Sequence, residues 1–551
     1  MSAGFRAGRA EPLVKVLPGA VDPLRLFAAL SDGGAAPHAC LLESADVHRE
    51  HAVRSLGCVA PALRLSGRGR DWALEALAPR GERLLTALRP GVEDGPTDFG
   101  LETVYDGEHG LALLAGTLPP RAAGLEERER LRAPGPMDLL RLLQGAFPLD
   151  APTAAGFPPG GLLGAFAYDF VDSFEDLDPG DDDSEQDDPR PVPDYVFVLA
   201  DQLFAVDHLH DRTRLVATVF CPEGTDLRAS EDYHLAQEFL RRCEEAAASA
   251  PALPPLPPAP ALDPAAIETD LDDAAYAAVV ARCQEHILAG DVFQIVPSRS
   301  FTAPAPEPPL TTYRRLRALN PSPYMFYLRL GDMTLLGASP ETALKVSRAG
   351  AEGASVSIRP IAGTRPRGRR EGAIDPDLDS RHESELKLDG KELAEHVMLV
   401  DLARNDVARV SEPGTRLAEE LFVVEKYSHV QHLVSRVTGR LAAGLDPLHA
   451  YLATMNMGTL TGAPKVEAMR LLRRYERTRR GFYGGAVGYY WLDGEFDTAI
   501  VIRSLLVADG QATARAGAGV VYDSIPAREV DETWHKARAP LAALGLAEGV
   551  E

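Results

Sequence analysis

Three segments late in the chain constrain the fold more than any other feature of the sequence. They are apolar, rich in β-branched and aromatic residues and separated by short turns, and they read YGGAVGYYWL, FDTAIVIRSLLVA and ATARAGAGVVY. Such a series is typical of consecutive strands. Helical patterns are grouped elsewhere, in residues 138–147, 232–248 and 272–290. Because strands and helices do not alternate regularly, the sequence predicts an α+β fold with largely antiparallel sheets.

An alanine- and proline-rich stretch divides the chain. Residues 244–264 read EEAAASAPALPPLPPAPALDP, and proline at this density prevents a core helix or a central strand. The stretch is therefore interpreted as a semi-rigid linker or surface crossing. It separates a predicted N-terminal region, residues 1–243, from a predicted C-terminal region, residues 265–551.

Composition excludes several classes of protein. The formal net charge of −24, without a basic stripe, argues against nucleic acid as a partner. No apolar run reaches the roughly 18 residues of a transmembrane helix, and the N-terminus lacks the apolar core of a signal peptide. The five cysteines are scattered without CxxC spacing, which favours buried thiols in a reducing cytoplasm. The acidic segment 178–191 is interpreted as a solvated loop.

Two pairs of glutamates, Glu392 with Glu395 and Glu529 with Glu532, lie in segments with helical patterns. A spacing of three places both carboxylates of a pair on one helix face. Such pairs usually lie on a solvated surface. Oxygen-rich clusters with little sulfur or imidazole nearby also suit a hard divalent cation, for which Mg²⁺ is the natural candidate.

Two further features allow either a structural or a ligand-binding role. Arg503 ends the apolar segment DTAIVIRS, so it requires a carboxylate within the protein or an anionic ligand. The AGAG turn at residues 516–519 lacks the G-x-G-x-x-G spacing of a dinucleotide site. Its glycines either ease a strand-to-helix turn or leave backbone N–H groups free for a carboxylate.

Taken in order, many segments of the chain resemble anthranilate synthase component I, the large subunit of a chorismate-using enzyme. The resemblance covers nearly the whole chain. The segments that carry it are LLESAD (41–46), GGLLGAFAYDFVDSFEDL (160–177), VFQIVPSR (292–299), NPSPYMFYL (320–328), GASPET (337–342), RPIAGTRPRG (359–368), KELAEHVMLVDLARND (391–406), TLTGAPK (459–465), YGGAVGY (483–489), DTAIVIRS (497–504), AGAGVVYDS (516–524) and DETWHKARA (531–539).

The resemblance implies a fold and a reaction. The fold is an α+β sandwich, in which two large, mainly antiparallel sheets with flanking helices enclose the active site. The reaction is the Mg²⁺-dependent conversion of chorismate and ammonia to anthranilate and pyruvate, the first step of tryptophan biosynthesis. By the same resemblance, Glu395 and Glu532 are direct ligands of Mg²⁺, whereas Glu392 and Glu529 hold its water molecules.

The resemblance also assigns residues to the reaction. Glu341 matches the general acid for the departing hydroxyl group, which requires a raised pKa. His432, which by itself is typical of a core histidine, matches the histidine of the pyruvate-elimination step, and Thr459 and Lys536 line the same pocket. The residues expected to bind the carboxylates of the substrate are Gly363, Thr364, Tyr483, Arg503, Gly517, Ala518 and Gly519.

Two positions discriminate between related activities. Gln294 stands where similar isochorismate and salicylate synthases carry a lysine that activates water. Ala362 stands where aminodeoxychorismate synthase carries a lysine that reacts covalently. Both positions favour anthranilate as the product. The alternatives are a synthase of aminodeoxyisochorismate or aminodeoxychorismate, and a non-catalytic, tryptophan-binding regulator of the same fold.

The resemblance further implies feedback inhibition by tryptophan. Glu43 and Ser44 are expected to contact its amino-acid group, and Arg54 stands where close relatives carry lysine. The remaining expected contacts are Pro323, Tyr324, Met325, Val487 and Tyr489.

A source of ammonia is also implied. None of the cysteines lies in the nucleophile turn of a glutaminase, so a separate glutamine amidotransferase subunit, component II, is expected to release ammonia from glutamine. The expected assembly is of α₂β₂ or αβ type.

Overall fold

The computed structural model describes residues 5–44, 54–105, 112–122, 124–150, 158–175, 177, 186–348, 350, 353–370, 372–427 and 430–547. Residues 45–46 of the LLESAD segment and 178–185 of the acidic segment lie outside the described residues.

The described residues form thirteen α-helices: α1 (Pro23–Leu30), α2 (Pro79–Glu93), α3 (Glu127–Arg130), α4 (Pro136–Gly145), α5 (Glu231–Ser249), α6 (Asp273–Ala289), α7 (Pro309–Leu319), α8 (Pro376–Leu388), α9 (Gly390–Val410), α10 (Pro447–Thr454), α11 (Gly458–Thr461), α12 (Lys465–Tyr475) and α13 (Pro526–Leu544).

They also form twenty-eight strands: β1 (Gly8–Pro18), β2 (Cys40–Glu43), β3 (Arg54–Cys58), β4 (Leu63–Arg68), β5 (Asp71–Ala76), β6 (Leu101–Tyr105), β7 (Leu113–Thr117), β8 (Gly161–Phe166), β9 (Tyr195–Ala200), β10 (Gln202–Asp207), β11 (Arg212–Pro222), β12 (Glu268–Thr269), β13 (Gln294–Ile295), β14 (Ser298–Pro304), β15 (Tyr324–Leu330), β16 (Met333–Ser339), β17 (Thr342–Val346), β18 (Ser355–Ile358), β19 (Ile361–Pro366), β20 (Arg369–Arg370), β21 (Ala373–Ile374), β22 (Leu417–Lys426), β23 (Val430–Arg440), β24 (Gly462–Ala463), β25 (Ala486–Trp491), β26 (Phe496–Ile500), β27 (Ser504–Ala508) and β28 (Gln511–Gly517).

Most strands belong to two large sheets. The first has eleven strands in the order β1-β11-β10-β3-β2-β15-β16-β27-β28-β14-β12. The second has thirteen, in the order β19-β23-β18-β17-β26-β25-β8-β9-β4-β5-β7-β6, with β22 beside β23. The strand pairs within both sheets are antiparallel. The predicted α+β class with antiparallel sheets is therefore confirmed.

One apolar core lies between the two sheets. It combines Leu56 and Phe326 from the first sheet with Leu163, Val487 and Ala499 from the second. The sheets therefore pack face to face, as in a sandwich.

The chain crosses from one sheet to the other within runs that look continuous in the sequence. The segment FDTAIVIRSLLVA forms β26 in the second sheet and β27 in the first. Similarly, residues 193–207 form β9 in the second sheet and β10 in the first. Arg503 lies in the first of these crossings with a φ of +51°. The apolar segment DTAIVIRS is therefore not one continuous strand, because β26 ends at Ile500 and Arg503 lies beyond it.

Proline explains a second difference from the sequence pattern. The segment FQIVPSRSF (293–301) has the apolar and β-branched residues of a single strand, but it contains β13 and most of β14. Pro297 lies between them and cannot donate a hydrogen bond to a neighbouring strand. The break places Gln294 opposite Ala463 in a small two-stranded sheet.

The alanine- and proline-rich stretch is only partly a linker. Its first six residues belong to α5, which continues to Ser249. The carbonyl oxygens of Pro254, Pro257 and Pro258 accept hydrogen bonds from Arg314 and Arg315 on α7. Both large sheets contain strands from residues 1–243 and from residues 265–551, so the two predicted regions are interleaved.

One expectation from composition is met in the described residues. All five cysteines are buried and unpaired. Across the described ranges, no helix combines the length and the apolar character that crossing a membrane requires.

Candidate active site

Two helices carry the glutamate pairs, as predicted. Helix α9 begins after Asp389, whose side chain accepts hydrogen bonds from the N–H groups of Lys391 and Glu392. Helix α13 begins with Pro526 and ends before Gly545, which adopts a left-handed φ of +114°. These are favourable start and stop signals for helices, so each pair is held by a well-defined helix.

The two pairs lie within electrostatic reach of each other. Burial raises the pKa of Glu395, and the negative charges of Glu392 and Glu532 raise it further. Burial also raises the pKa of Glu529, with a further contribution from Glu532. Helices α9 and α13 therefore direct carboxylates into one region, although their sequence positions are far apart.

The donor set fits a hard cation in its chemistry, because it consists of carboxylate oxygens, and the charges of Glu392 and Glu532 contribute to the raised pKa of Glu395. The carboxylates are not gathered around one point, however. Throughout the described ranges, no group of three or more histidine, cysteine, aspartate or glutamate side chains is close enough to hold a metal ion. Two of the glutamates have cationic partners: Lys536 Nζ lies 2.6 Å from Glu532 Oε1, and Arg365 Nη1 lies 3.3 Å from Glu392 Oε1. Mg²⁺ at these residues stays a prediction.

Glu341 is a buried carboxyl group between β16 and β17. Burial raises its pKa to about 7, although Thr459, Arg503 and Lys536 act in the opposite direction. Its backbone is fixed, because Glu341 N–H donates to Ser339 Oγ and its carbonyl oxygen accepts from Ile500 N–H at 3.0 Å. A glutamate with such a pKa is partly protonated at neutral pH and can donate a proton.

Arg503 and Thr459 bring polar groups without partners to the same place. The Arg503 guanidinium makes no hydrogen bond or ion pair with any residue that the structure describes. Burial lowers its pKa, an effect that the nearby Tyr483, Glu532 and Glu341 oppose. Thr459 Oγ1 is buried and also has no hydrogen-bond partner there. Of the two alternatives for Arg503, a salt bridge within the protein is therefore not found among the described residues.

The glycine-rich turn lies between Tyr483 and Gln294. A Cβ atom at Gly517 would lie 3.2 Å from the Tyr483 hydroxyl, and one at Gly519 would lie 2.8 Å from Gln294 Nε2. Lys536 Nζ donates to Gly517 O at 2.9 Å, which ties α13 to the turn. These close approaches require residues without side chains.

Of the three backbone N–H groups predicted to bind a carboxylate, one already has partners. Ala518 N–H donates to Pro297 O and to the Tyr276 hydroxyl, both at 3.2 Å. Beside the turn, Gln294 Oε1 is buried and has no partner among the described residues.

His432 lies on β23 opposite Thr364 of β19. Its Nδ1 lies 3.0 Å from Thr364 Oγ1 and 3.3 Å from Gly363 O. Burial lowers the pKa of His432, which favours a neutral ring. A neutral ring that donates from Nδ1 to Gly363 O leaves Nε2 free to accept a proton.

The sequence did not indicate two residues that support these side chains. Arg480 is only 5% exposed, although it lies in the basic run RRYERTRR. Its guanidinium donates to the carbonyl oxygens of Leu460 and Val296, and it lies 5.8 Å from the ring centre of Tyr483. The ring of Tyr427 lies 5.6 Å from that of His432. The carbonyl partners of Arg480 come from other segments of the chain, and the Tyr427 contact depends on the turn that returns the chain from β22 to β23, so neither role follows from residue type alone.

A cavity of about 380 Å³ lies between strands of the two sheets, and we call it the inter-sheet cavity. Ser44 Oγ donates to Pro323 O at 2.9 Å, and the Tyr489 hydroxyl donates to Glu495 at 2.9 Å. All eight residues predicted to bind tryptophan line it: Glu43, Ser44, Arg54, Pro323, Tyr324, Met325, Val487 and Tyr489.

Glu43 has an unusual environment in this cavity. It is 3% exposed, and the Tyr313 hydroxyl donates to its Oε2 at 2.6 Å. Burial raises the pKa of Glu43, which Arg317 opposes. Its Oε1 is buried without a hydrogen-bond partner among the described residues, so one acceptor remains for a ligand.

Comparison with known proteins agrees with this geometry. Residues 122–542 match the model of the chorismate binding enzyme family. The chain is 45% identical to anthranilate synthase component 1 of Vibrio cholerae over 535 residues, which cover 97% of this chain and 96% of the relative. It is also 45% identical to the pyocyanine-specific anthranilate synthase component 1 of Pseudomonas aeruginosa, over 92% of this chain and 90% of the relative.

A solved structure extends the comparison to the fold. Anthranilate synthase component I from Streptococcus pneumoniae superposes with a TM-score of 0.66 at 26% identity, over 90% of this chain and 93% of that one. The sequence match and the structural match both run across the two large sheets. The chain therefore belongs to the chorismate binding enzyme family, and within it resembles anthranilate synthase component I over almost its entire length.

Proposed function

We propose that this protein converts chorismate and ammonia to anthranilate and pyruvate, the first step of tryptophan synthesis. The observation that carries the proposal is Glu341, whose pKa burial raises to about 7, beside Thr459 and the Arg503 guanidinium, which has no partner among the described residues. Loss of a ring hydroxyl requires a proton donor at neutral pH. An exposed glutamate is almost fully ionised there, whereas Glu341 retains a large protonated fraction.

Chorismate carries two carboxylates, and the site offers groups that suit an anion. The Arg503 guanidinium can form two parallel hydrogen bonds to one carboxylate. The Tyr483 hydroxyl lies beside Gly517, and Tyr483 is within electrostatic reach of Arg503. Mg²⁺ held by Glu395 and Glu532, with Glu392 and Glu529 binding its waters, would add a hard cation for a substrate carboxylate.

The second half of the reaction assigns a role to His432. With Nδ1 directed at Gly363 O and a lowered pKa, the ring can keep Nε2 unprotonated. Nε2 then accepts the proton that leaves the ring of the aminated intermediate as pyruvate is eliminated. Thr364, which also contacts Nδ1, fixes the orientation of the imidazole.

Gln294 and Ala362 support ammonia as the nucleophile. Neither side chain can act as a base for water or form a covalent adduct, in contrast to a lysine at either position. The relatives are named component 1, which supports a partner component that releases ammonia from glutamine. We expect the complex to act in the cytoplasm.

The inter-sheet cavity supports tryptophan as a feedback inhibitor. Glu43 Oε1, which has no hydrogen-bond partner among the described residues, can accept from the ammonium group of an amino acid, and Tyr324, Met325 and Tyr489 provide a surface for an indole ring. The relative from Pseudomonas aeruginosa, which is also 45% identical to this chain, is pyocyanine-specific, so sequence identity alone does not assign the pathway that the product enters. Inhibition by tryptophan would favour tryptophan synthesis over a pyocyanine-specific role.

The proposal is tested by incubating the purified protein with chorismate, Mg²⁺ and ammonium and measuring anthranilate fluorescence and product mass. Anthranilate is expected, and Glu341→Gln should abolish most of its formation. Accumulation of aminodeoxyisochorismate or aminodeoxychorismate as the end product would contradict the assignment. Tryptophan binding without any turnover would indicate a regulator and not an enzyme.

A further inference from the structure

We propose that Tyr427 is a positioning residue for His432, and that a ligand in the inter-sheet cavity acts on the elimination step through Tyr427. The inference rests on the proposed function and goes beyond it, because it names the contact that connects the two sites. Tyr427 is 9% exposed, and His432 is partly buried. Their ring centres are 5.6 Å apart, and the ring planes form an angle of 60°.

The hydroxyl group of Tyr427 is anchored in a short polar chain. It donates to Glu425 Oε2 at 2.8 Å, and Glu425 also forms an ion pair with Arg359. Glu425 on β22 lies directly opposite His432 on β23. The Tyr427 backbone is fixed as well, because its N–H donates to Val430 O at 2.8 Å. The phenol ring therefore has a defined position beside the imidazole, to which it is tilted by 60°.

Three of the residues around His432 belong to the wall of the inter-sheet cavity. Tyr427 and Arg359 line it directly. Ile361, which also lines it, begins strand β19, the strand that carries Gly363 and Thr364 to His432 Nδ1. The imidazole thus contacts the ring of Tyr427 and, through Nδ1, strand β19, and Tyr427 and the start of β19 both form part of the cavity wall.

This arrangement predicts which step a ligand would affect. A ligand that contacts Tyr427 or the Arg359–Glu425 pair can change the position of His432. His432 is proposed to act in the elimination of pyruvate and not in the amination, so the elimination should be the step that responds. A ligand can shift the equilibrium between two arrangements of this wall only if it binds one of them more tightly. If the ligand then changes the affinity for chorismate, chorismate must change the affinity for the ligand by the same factor. Tryptophan should therefore raise the fraction of aminated intermediate relative to anthranilate.

The test uses Tyr427→Leu and Tyr427→Phe in the full-length protein, supplied with ammonium so that no partner is needed. Loss of the ring in Tyr427→Leu should lower the rate of anthranilate formation about 10-fold or more, with the KM for chorismate within about 2-fold of the unmodified protein. The aminated intermediate should appear by mass. Tyr427→Phe keeps the ring, and its ratio of released intermediate to anthranilate should be closer to that of the unmodified protein.

Coupling is measured separately by titrating tryptophan with and without chorismate. Tryptophan should bind Tyr427→Leu, but its affinity should respond to chorismate less than it does in the unmodified protein. Tyr475→Leu is the matched control. Tyr475 makes a similar contact with His286, at 5.7 Å between ring centres, and lines neither the inter-sheet cavity nor the cavity beside Tyr483.

Each outcome decides the inference. If Tyr427→Leu forms anthranilate without intermediate and retains full coupling, Tyr427 does not position His432 and the inference is wrong. If Tyr475→Leu releases the intermediate equally, the effect is not specific and the inference is also wrong. If the unmodified protein forms no aminated product, the proposed function itself fails. Should Tyr427→Leu yield no soluble protein, Tyr427→Met, whose longer and more flexible side chain can adapt to the space of the ring, is measured in its place.

Discussion

Replacing Glu341 by glutamine should increase stability at high pH while removing activity. The pKa of Glu341 rises from 4.5 to about 7 on folding, mainly because the side chain is buried. The unfolded chain therefore ionises first as pH increases, and the folded protein loses stability between pH 4.5 and about 7. At about 1.4 kcal/mol per pKa unit, the full loss is on the order of 3 kcal/mol. Glutamine has nearly the same shape and does not ionise, so the variant avoids this loss.

The assay is chemical denaturation of both proteins at about pH 4.5 and pH 8, together with the rate of anthranilate formation. The difference in the free energy of unfolding should be small at the lower pH and should favour Glu341→Gln by up to about 3 kcal/mol at the higher pH. The rate should fall about 10²- to 10⁴-fold, as expected for loss of a general acid.

A control variant separates this effect from a general consequence of removing charge. Glu285 is exposed on α6, and Glu285→Gln should show no comparable dependence on pH. The reasoning is refuted if the stability difference between the unmodified protein and Glu341→Gln is the same at both pH values. It is also refuted if the variant retains most of the rate, because Glu341 would then not be the proton donor.

Three further predictions concern the same site. Arg503→Gln should raise the KM for chorismate about 10- to 100-fold, since a charge-assisted contact contributes about 1.5–3 kcal/mol. Glycine suits the φ of +51° at this position, but Arg503→Gly should bind chorismate no better than Arg503→Gln, because it also lacks the guanidinium. Mg²⁺ should raise the melting temperature of the unmodified protein but not of Glu532→Gln, and an equal shift in both would exclude Glu532 as a ligand. His432→Met should accumulate the aminated intermediate, and unchanged anthranilate formation measured by fluorescence would contradict the role of His432.

Local signals were sufficient to predict the helices that carry the site. The spacing of Glu392 and Glu395 fits α9, and the capping residue Asp389 lies directly before it. The spacing of Glu529 and Glu532 likewise fits α13, which begins with Pro526. Such features depend on neighbours within one helical turn, and therefore the sequence contains them in full.

The crossings between sheets were not predictable in the same way. Between β26 and β27 the chain reads Val501, Ile502 and Arg503. The first two are buried and continue the apolar pattern of β26, so only Arg503 interrupts the run. Asp201, the only residue between β9 and β10, is likewise 2% exposed. Burial on both sides of a strand removes the alternation that would show where it ends.

Long-range partners explain the remaining differences at the site. The N–H of Ala518 donates to Pro297 O and to the Tyr276 hydroxyl, and both acceptors are far from Ala518 in the sequence. Arg480 looks solvated within its basic run, and only the packing of Glu476, Leu460 and Val296 around it makes it a buried support.

The interleaving of early and late strands also has a consequence during synthesis on the ribosome. Strand β8 lies between β9 and β25, and about 320 residues separate Phe166 from Ala486. At about 5–20 residues per second, the edge of β8 that pairs with β25 waits on the order of 15 to 65 seconds for its partner. Its residues are buried in the finished protein, so an apolar strand edge is exposed throughout that interval. The nascent chain is therefore most vulnerable to aggregation before β25 emerges, and binding by a chaperone in that interval should improve the yield of folded protein.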